Sequence, residues 1–168
     1  ARCWTRWPCV WMRPTLLAEY GYPQRYTLDS YREIFGFPVE EYYVRAGFDF
    51  SRHPFPVLAK SYMEDYLPRS AACPLARGAR QARADFDRAG LRQVILSASR
   101  VEDLERQVTE RGIRGCFDRL LGLGDIYAKS KVEVGRRFFR ESGFDPGHAV
   151  MIGDSVHDFE VARAMGVR

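Results

Sequence analysis

From Leu75 onward the chain alternates strand-like apolar segments with amphipathic helical segments, and this alternation constrains the fold more than any other feature. "LRQVILSAS" contains an apolar run at Val94–Leu96, "CFDRLLGLGDIY" has a shorter candidate around Leu120, and "HAVMIGDS" has a third. Glycines end the helical segments between and before them: Gly90, Gly112 and Gly143. Strands that alternate with helices predict a parallel α/β sheet with right-handed crossovers.

The residues before Leu75 have a different character and predict a separate helical domain over residues 15–74. Short helical segments follow one another, and "TLDSYREIFG" has Thr27 as an N-cap and Gly36 at its end. We interpret the many Tyr and Phe side chains of these segments as residues that pack between helices. Residues 75–168 then form the α/β domain, and residues 1–14 belong to neither pattern.

Charge and cysteine spacing exclude several classes of function. The net charge is +4, but the first fourteen residues hold arginines without any acidic residue, so the remainder is close to neutral and predicts no nucleic-acid partner. No run is long enough to span a membrane. The cysteines have no C-x-x-C spacing, a disulfide framework is not expected, and the prediction is a cytoplasmic protein.

"MIGDSVHD" is the most informative stretch for chemistry. An apolar strand leads to Gly153, which allows a sharp turn or a close backbone approach, and Asp154 and Asp158 follow. Two carboxylates near a strand end suit a hard cation such as Mg2+, which prefers oxygen ligands. The alternative is a loop aspartate followed by a helix-capping aspartate.

Two further segments carry candidate phosphate ligands. Ser97 and the Ala98 backbone follow the apolar run at Val94–Leu96, where a hydroxyl and N–H groups at a helix start suit an anion. The alternative is that Ser97 or Ser99 only caps the next helix. Lys129 and Lys131 precede another helix, a position that the helix dipole disfavours, although either can be an ordinary surface lysine.

Together, these segments resemble the haloacid dehalogenase superfamily, chiefly its phosphatases similar to phosphoglycolate phosphatase. Ser97 resembles the second-motif hydroxyl, Lys131 the third-motif lysine with Lys129 as a weaker candidate, and Asp154 and Asp158 the fourth motif G-D-x-x-x-D. The resemblance implies a Rossmannoid parallel-sheet core, here incomplete at both ends, with residues 15–74 as a helical cap inserted between the first and second motifs.

What this resemblance implies is Mg2+-dependent hydrolysis of a small phosphorylated metabolite through an aspartyl-phosphate intermediate. Asp154 and Asp158 would hold the metal, or Asp158 would orient Lys131 or the metal's water. Ser97, Ala98 and Lys131 would bind the phosphoryl oxygens. A phosphoglucomutase-like protein or a dehalogenase is the runner-up within the family, and the dehalogenases need no metal.

The family's first motif, D-x-D-G-T, is absent from this sequence. "DFD" at Asp85–Asp87 lies in a charged helical stretch, follows no apolar strand and lacks Gly-Thr, and "FDF" around Asp49 has no second aspartate. The chain as written therefore has no candidate nucleophile. We expect it to be marginally stable and to lack phosphatase activity, which leaves a non-catalytic protein that binds phosphate or a partner as the alternative function.

The opening "ARCWTRWPCVWMRP" offers an explanation for that absence. Back-translated and read one nucleotide earlier, it permits Gly-Thr-Leu-Leu-Asp-Thr-Leu-Ala-Leu-Arg-Leu-Asp, which matches the second half of the first motif. We therefore expect residues 1–14 to be an out-of-frame reading, with Asp-x-Asp encoded just upstream of residue 1. The alternative is a genuine, divergent N-terminus.

Overall fold

The structure, a computed structural model, describes residues 14–36, 38–124 and 130–168. Its residues separate into two compact units that divide between Pro74 and Leu75. The predicted aberrant segment falls outside the described residues except for Pro14, where the first described helix begins.

The first unit, residues 14–74, is built from helices in its described part: α1 (Pro14–Glu19), α2 (Leu28–Ile34), α3 (Val39–Arg45) and α4 (Phe55–Ala72). Thr27 is the N-cap of α2, as predicted, because its hydroxyl accepts the Ser30 N–H while the Ser30 hydroxyl accepts the Thr27 N–H. Helix α4 contains Pro68 within its length.

Aromatic side chains form the core of this unit. Tyr31, Tyr43 and Leu58 are almost fully buried. The rings of Tyr43 and Phe55 meet edge to face with centroids 5.3 Å apart, and Tyr31 and Tyr42 do so at 5.7 Å. The interpretation of the Tyr and Phe residues as packing between helices is therefore confirmed for these side chains.

The second unit alternates helices and strands over residues 75–168. Its elements in chain order are α5 (Ala79–Arg88), β1 (Val94–Arg100), α6 (Val101–Glu110), a 3-10 turn (Arg114–Cys116), β2 (Arg119–Leu123), α7 (Lys131–Ser142), a second 3-10 turn (Pro146–His148) and α8 (Val156–Met165). The mixed α/β fold is thus confirmed, and both β1 and β2 lie where the apolar runs predict them.

Strands β1 and β2 pair in parallel, with an irregular register at the end of β1. Leu96 lies opposite Leu121, and the next aligned pair is Arg100 with Leu123. Residues 97–99 therefore face Gly122 alone, so β1 bulges at this point. The bulge contains Ser97, the first candidate phosphate ligand.

Helices α7 and α8 pack against each other at a glycine. A Cβ atom built on Gly135 would lie 2.1 Å from the Met165 sulfur and 3.5 Å from a methyl of Leu96. Helix α7 also packs on both strands. The small residue therefore lets α7 approach α8 and the sheet together.

The third predicted strand, in "HAVMIGDS", is wrong as a strand assignment. Residues 149–153 carry no strand assignment. The Met151 N–H donates to the Arg168 carbonyl at 2.7 Å, and the Arg168 N–H donates to the Ala149 carbonyl at 3.2 Å. Val150 and Ile152 are 70% and 58% exposed. Among the described residues these contacts are too few for the ladder that a strand requires.

Among the described residues, the cysteines differ from expectation at Cys73. Cys116 is a free thiol, whereas the buried Cys73 is disulfide-bonded. The expectation of reduced thiols is therefore wrong for Cys73. In the described part of the chain, no helix is long and apolar enough to cross a membrane.

Candidate active site

A buried ion pair between Lys131 and Asp158 forms the centre of the candidate site. The Lys131 ammonium donates to Oδ1 of Asp158 at 2.5 Å, and the two side chains are 9% and 10% exposed. Lys131 is the first residue of α7, whose N-cap Ser130 accepts the Glu133 N–H. Asp158 lies in the first turn of α8. The starts of two helices thus bring together residues that are distant in sequence.

The second oxygen of Asp158 is also engaged. Oδ2 accepts the Ser155 hydroxyl at 2.7 Å and the Asp154 N–H at 3.2 Å. Burial raises the pKa of the Asp158 carboxyl, but the hydrogen bonds from Lys131 and Ser155 and the Lys131 charge lower it more. The net result is a pKa well below the ordinary range, so Asp158 stays ionised.

Gly153 allows the preceding backbone to lie against this carboxylate. A Cβ atom at residue 153 would come within 2.3 Å of the Asp158 Cβ and 2.8 Å of its Cγ. No L-residue side chain fits there without displacing Asp158. The close backbone approach predicted for Gly153 is therefore made to a side chain of the site itself.

Asp154 fits as a ligand for Mg2+, and Asp158 fits less well. Asp154 is exposed at the end of the 149–153 segment, and Mg2+ is commonly held by one or two carboxylates together with water and substrate phosphate. Asp158 is already bound to a cation, Lys131, which would repel the metal. In this arrangement Asp154 could hold a metal, while Asp158 is the partner of Lys131. No cluster of three or more His, Cys, Asp or Glu residues occurs in the described regions.

Ser97 lies in the bulge of β1 and does not cap the following helix. Its hydroxyl donates to the Ser99 hydroxyl at 3.1 Å and accepts the Ser99 N–H at 3.1 Å. The N-cap of α6 is Arg100, and no side chain in the described structure provides a cap hydrogen bond there. The alternative in which Ser97 or Ser99 serves as a helix cap is therefore wrong.

The predicted site residues fall into two hydrogen-bonded groups. Lys131, Asp154 and Asp158 form one group, and Ser97 with Ser99 forms the other, which includes Ala98 in its turn. Gly135, one turn after Lys131, lies against Leu96, the residue before Ser97. Lys129 lies outside the described residues.

Sequence reasoning missed Ser155 as a member of this site. Its hydroxyl accepts the Asp158 N–H at 3.3 Å while it donates to the Asp158 carboxylate, so it caps α8 and binds the site carboxylate at once. The spacing S-x-x-D before a helix is the signal that could have identified it.

Comparison with known families identifies the class to which this α/β core belongs. The haloacid dehalogenase-like hydrolase family matches residues 11–168. The chain therefore belongs to this family of hydrolases, which includes phosphatases. No curated protein matches the sequence.

Two solved structures with the same fold have similar TM-scores and similar sequence identities to this chain. A haloacid dehalogenase-like hydrolase from Streptococcus pneumoniae superposes with a TM-score of 0.76 at 17% identity, covering 91% of this chain and 70% of its own. A protein described as a predicted phosphatase from Clostridium acetobutylicum gives 0.74 at 18% identity, covering 95% and 73%. At this identity the likeness establishes the fold.

Proposed function

We propose that the chain binds the phosphoryl group of a small phosphorylated metabolite, together with Mg2+, at the site formed by Lys131, Asp158, Asp154 and Ser97. The observation that carries this proposal is the buried Lys131–Asp158 pair. An ammonium held in place by an ionised carboxylate puts a positive charge at a fixed position in the site, which suits an anion. The description of the Clostridium acetobutylicum relative as a predicted phosphatase supports the same class of ligand.

In this proposal each residue has one role. Lys131 binds a phosphoryl oxygen and Asp158 orients Lys131. Ser97, whose single hydroxyl proton would turn from Ser99 to the ligand, binds a further oxygen together with the Ala98 backbone N–H. Asp154 holds Mg2+, which when bound would screen the charge of the phosphoryl group. The Asp158 ion pair also keeps the Lys131 ammonium from lying buried without a counter-charge.

We further infer that this polypeptide does not catalyse hydrolysis of the phosphate ester. The printed sequence contains no D-x-D-G-T segment to supply the nucleophile and the acid. The chain would then act as a phosphate-binding, non-catalytic relative of the phosphatases. In the same proposal the unit over residues 14–74 is a cap that selects the metabolite, and nucleic acids and membranes are not its partners.

The test is a titration with inorganic phosphate in the presence and absence of Mg2+. We expect Mg2+ to strengthen phosphate binding in the wild type, and Asp154→Asn to remove that strengthening. Asp87→Asn is the matched control because Asp87 is an exposed carboxylate on α5, outside the site. An absence of phosphate binding by the wild type would overturn the proposal.

Turnover of p-nitrophenyl phosphate tests the inference that the polypeptide does not catalyse hydrolysis. We expect no turnover that depends on Mg2+. Turnover that Mg2+ supports and that Asp154→Asn abolishes would show that the chain is a complete catalyst.

A further inference from the structure

We propose that Gly122 on β2 is a positioning residue for phosphate binding: the absence of a side chain there allows β1 to bulge at Ser97–Ser99, and the bulge directs the Ser97 hydroxyl. This inference rests on the proposed function, because Ser97 is its phosphate ligand. Gly122 itself touches no phosphate in this proposal and acts through the backbone of the neighbouring strand.

The strand register is the first observation. Between the aligned pairs Leu96–Leu121 and Arg100–Leu123, β1 has three residues where β2 has one. The extra residues of a bulge leave the regular ladder, and the side chains in it take directions that a regular strand does not give. Ser97 is the first residue of this irregular stretch and is still buried, like Ile95 two residues before it.

The space around Gly122 is the second observation. A Cβ atom at this position would lie 2.7 Å from the Ser99 carbonyl oxygen and 2.8 Å from the Val101 nitrogen. Both are backbone atoms, so a side-chain rotation cannot relieve the overlap. Gly122 is also absent from the residues with positive φ. The glycine is thus needed for close approach and not for a left-handed backbone.

The hydrogen bonds of Ser97 link this contact to the candidate phosphate ligand. The Ser99 N–H donates to the Ser97 hydroxyl oxygen, and the Ser97 hydroxyl donates to that of Ser99. The carbonyl that a Cβ on residue 122 would displace belongs to the same Ser99. A methyl group at 122 would therefore move the residue that holds the Ser97 hydroxyl in place.

The experiment compares Gly122→Ala with Gly124→Ala by titrating inorganic phosphate and following amide resonances by NMR. Gly124 is two residues further along the chain, is exposed, and has no atom within 4 Å of a built Cβ. We expect Gly122→Ala to weaken phosphate binding by about tenfold, the effect of one hydrogen bond to a charged group. Gly124→Ala should bind like the wild type.

A double-variant cycle separates positioning from general damage. If Gly122 acts through Ser97, adding Gly122→Ala to Ser97→Ala should cost little further phosphate affinity. Independent, additive losses would overturn the inference, as would wild-type affinity in Gly122→Ala. A wild type that binds no phosphate would overturn the proposed function and this inference together. A wild type that binds phosphate, with equal affinity in Gly122→Ala, would overturn this inference alone.

If Gly122→Ala does not fold, the amide resonances of the wild type can be followed directly as phosphate is added. Phosphate should then shift the amide resonances of Ala98 and Ser99, in the bulge, and leave the Gly115 amide unchanged. Unchanged Ala98 and Ser99 resonances at saturating phosphate would overturn the inference.

Discussion

The Nζ atom of Lys131 lies 2.5 Å from Oδ1 of Asp158, and the pair joins the first turns of helices α7 and α8. Both side chains are about nine-tenths buried. Removing one member of a buried pair leaves the other charge without compensation, which is far more costly than losing an exposed ion pair. The pair therefore contributes to stability, and in the proposed function it also binds the anion.

Lys131→Met should lower the free energy of unfolding by about 3–5 kcal/mol, because Asp158 would remain buried and unpaired. Urea unfolding measures the change. Lys60→Met is the control, since Lys60 is exposed on α4. Adding Asp158→Asn to Lys131→Met should restore part of the loss. Equal stabilities for Lys131→Met and Lys60→Met would contradict this prediction.

Acid should weaken the protein through Asp158. Because its pKa is depressed in the folded state, the ionised carboxyl contributes stability that is fully present above the unfolded pKa of about 3.9. That contribution is lost as the pH falls below this value towards the folded pKa. Urea midpoints of the wild type and Asp158→Asn should differ at neutral pH and converge in acid. A difference that stays constant with pH would show that Asp158 does not titrate as described.

Gly153→Ala should distort the carboxylate site. The added methyl would lie 2.3 Å from the Asp158 Cβ, and overpacking of this kind costs about 1–3 kcal/mol. Thermal unfolding gives the change in stability, and Mg2+-dependent phosphate binding gives the effect on the site. Gly115→Ala, with no atom within 4 Å of a built Cβ, should change neither. Normal phosphate binding by Gly153→Ala would refute the expected distortion.

Alkali should unfold the helical unit. Burial raises the pKa of Tyr42 and Tyr43 far above the ordinary range, and the neighbouring Tyr31 adds to the shift. The neutral phenols therefore contribute stability that is present below the unfolded pKa of about 10 and is lost as the pH rises above it. Tyrosinate absorbance and circular dichroism should change together for these residues. Ionisation of Tyr43 without loss of helix, identified by comparison with Tyr43→Phe, would argue against this mechanism.

Much of the α/β unit could be predicted from sequence because its signals are local. The apolar run at Val94–Leu96 and the glycine at 143 each act within a few residues: β1 begins at Val94, and α7 ends at Ser142 with Gly143 as its C-cap. The segment "HAVMIGDS" has the same apolar signal, yet residues 149–153 do not form a strand. A strand depends on a hydrogen-bonding partner elsewhere in the chain, which the segment's own residues do not specify.

The site shows the same limit. Asp158 could be singled out by its spacing from Asp154, and the family resemblance suggested that it orients Lys131. The bulge that holds Ser97 could not be predicted, because it depends on how β1 aligns with Gly122 on another strand. Ser155 was overlooked although its capping spacing is local.

The close approach of α7 and α8 at Gly135 lies apart from the charged residues of the candidate site. The contact with the Met165 sulfur is apolar and lies one turn or more from the charged ends of both helices. Van der Waals packing therefore fixes the spacing of the helices at Gly135, and the ion pair between Lys131 and Asp158 adds a second contact at their first turns. A redesign for a different anion would have to replace the two charged side chains together, because removing one alone leaves a buried charge without compensation.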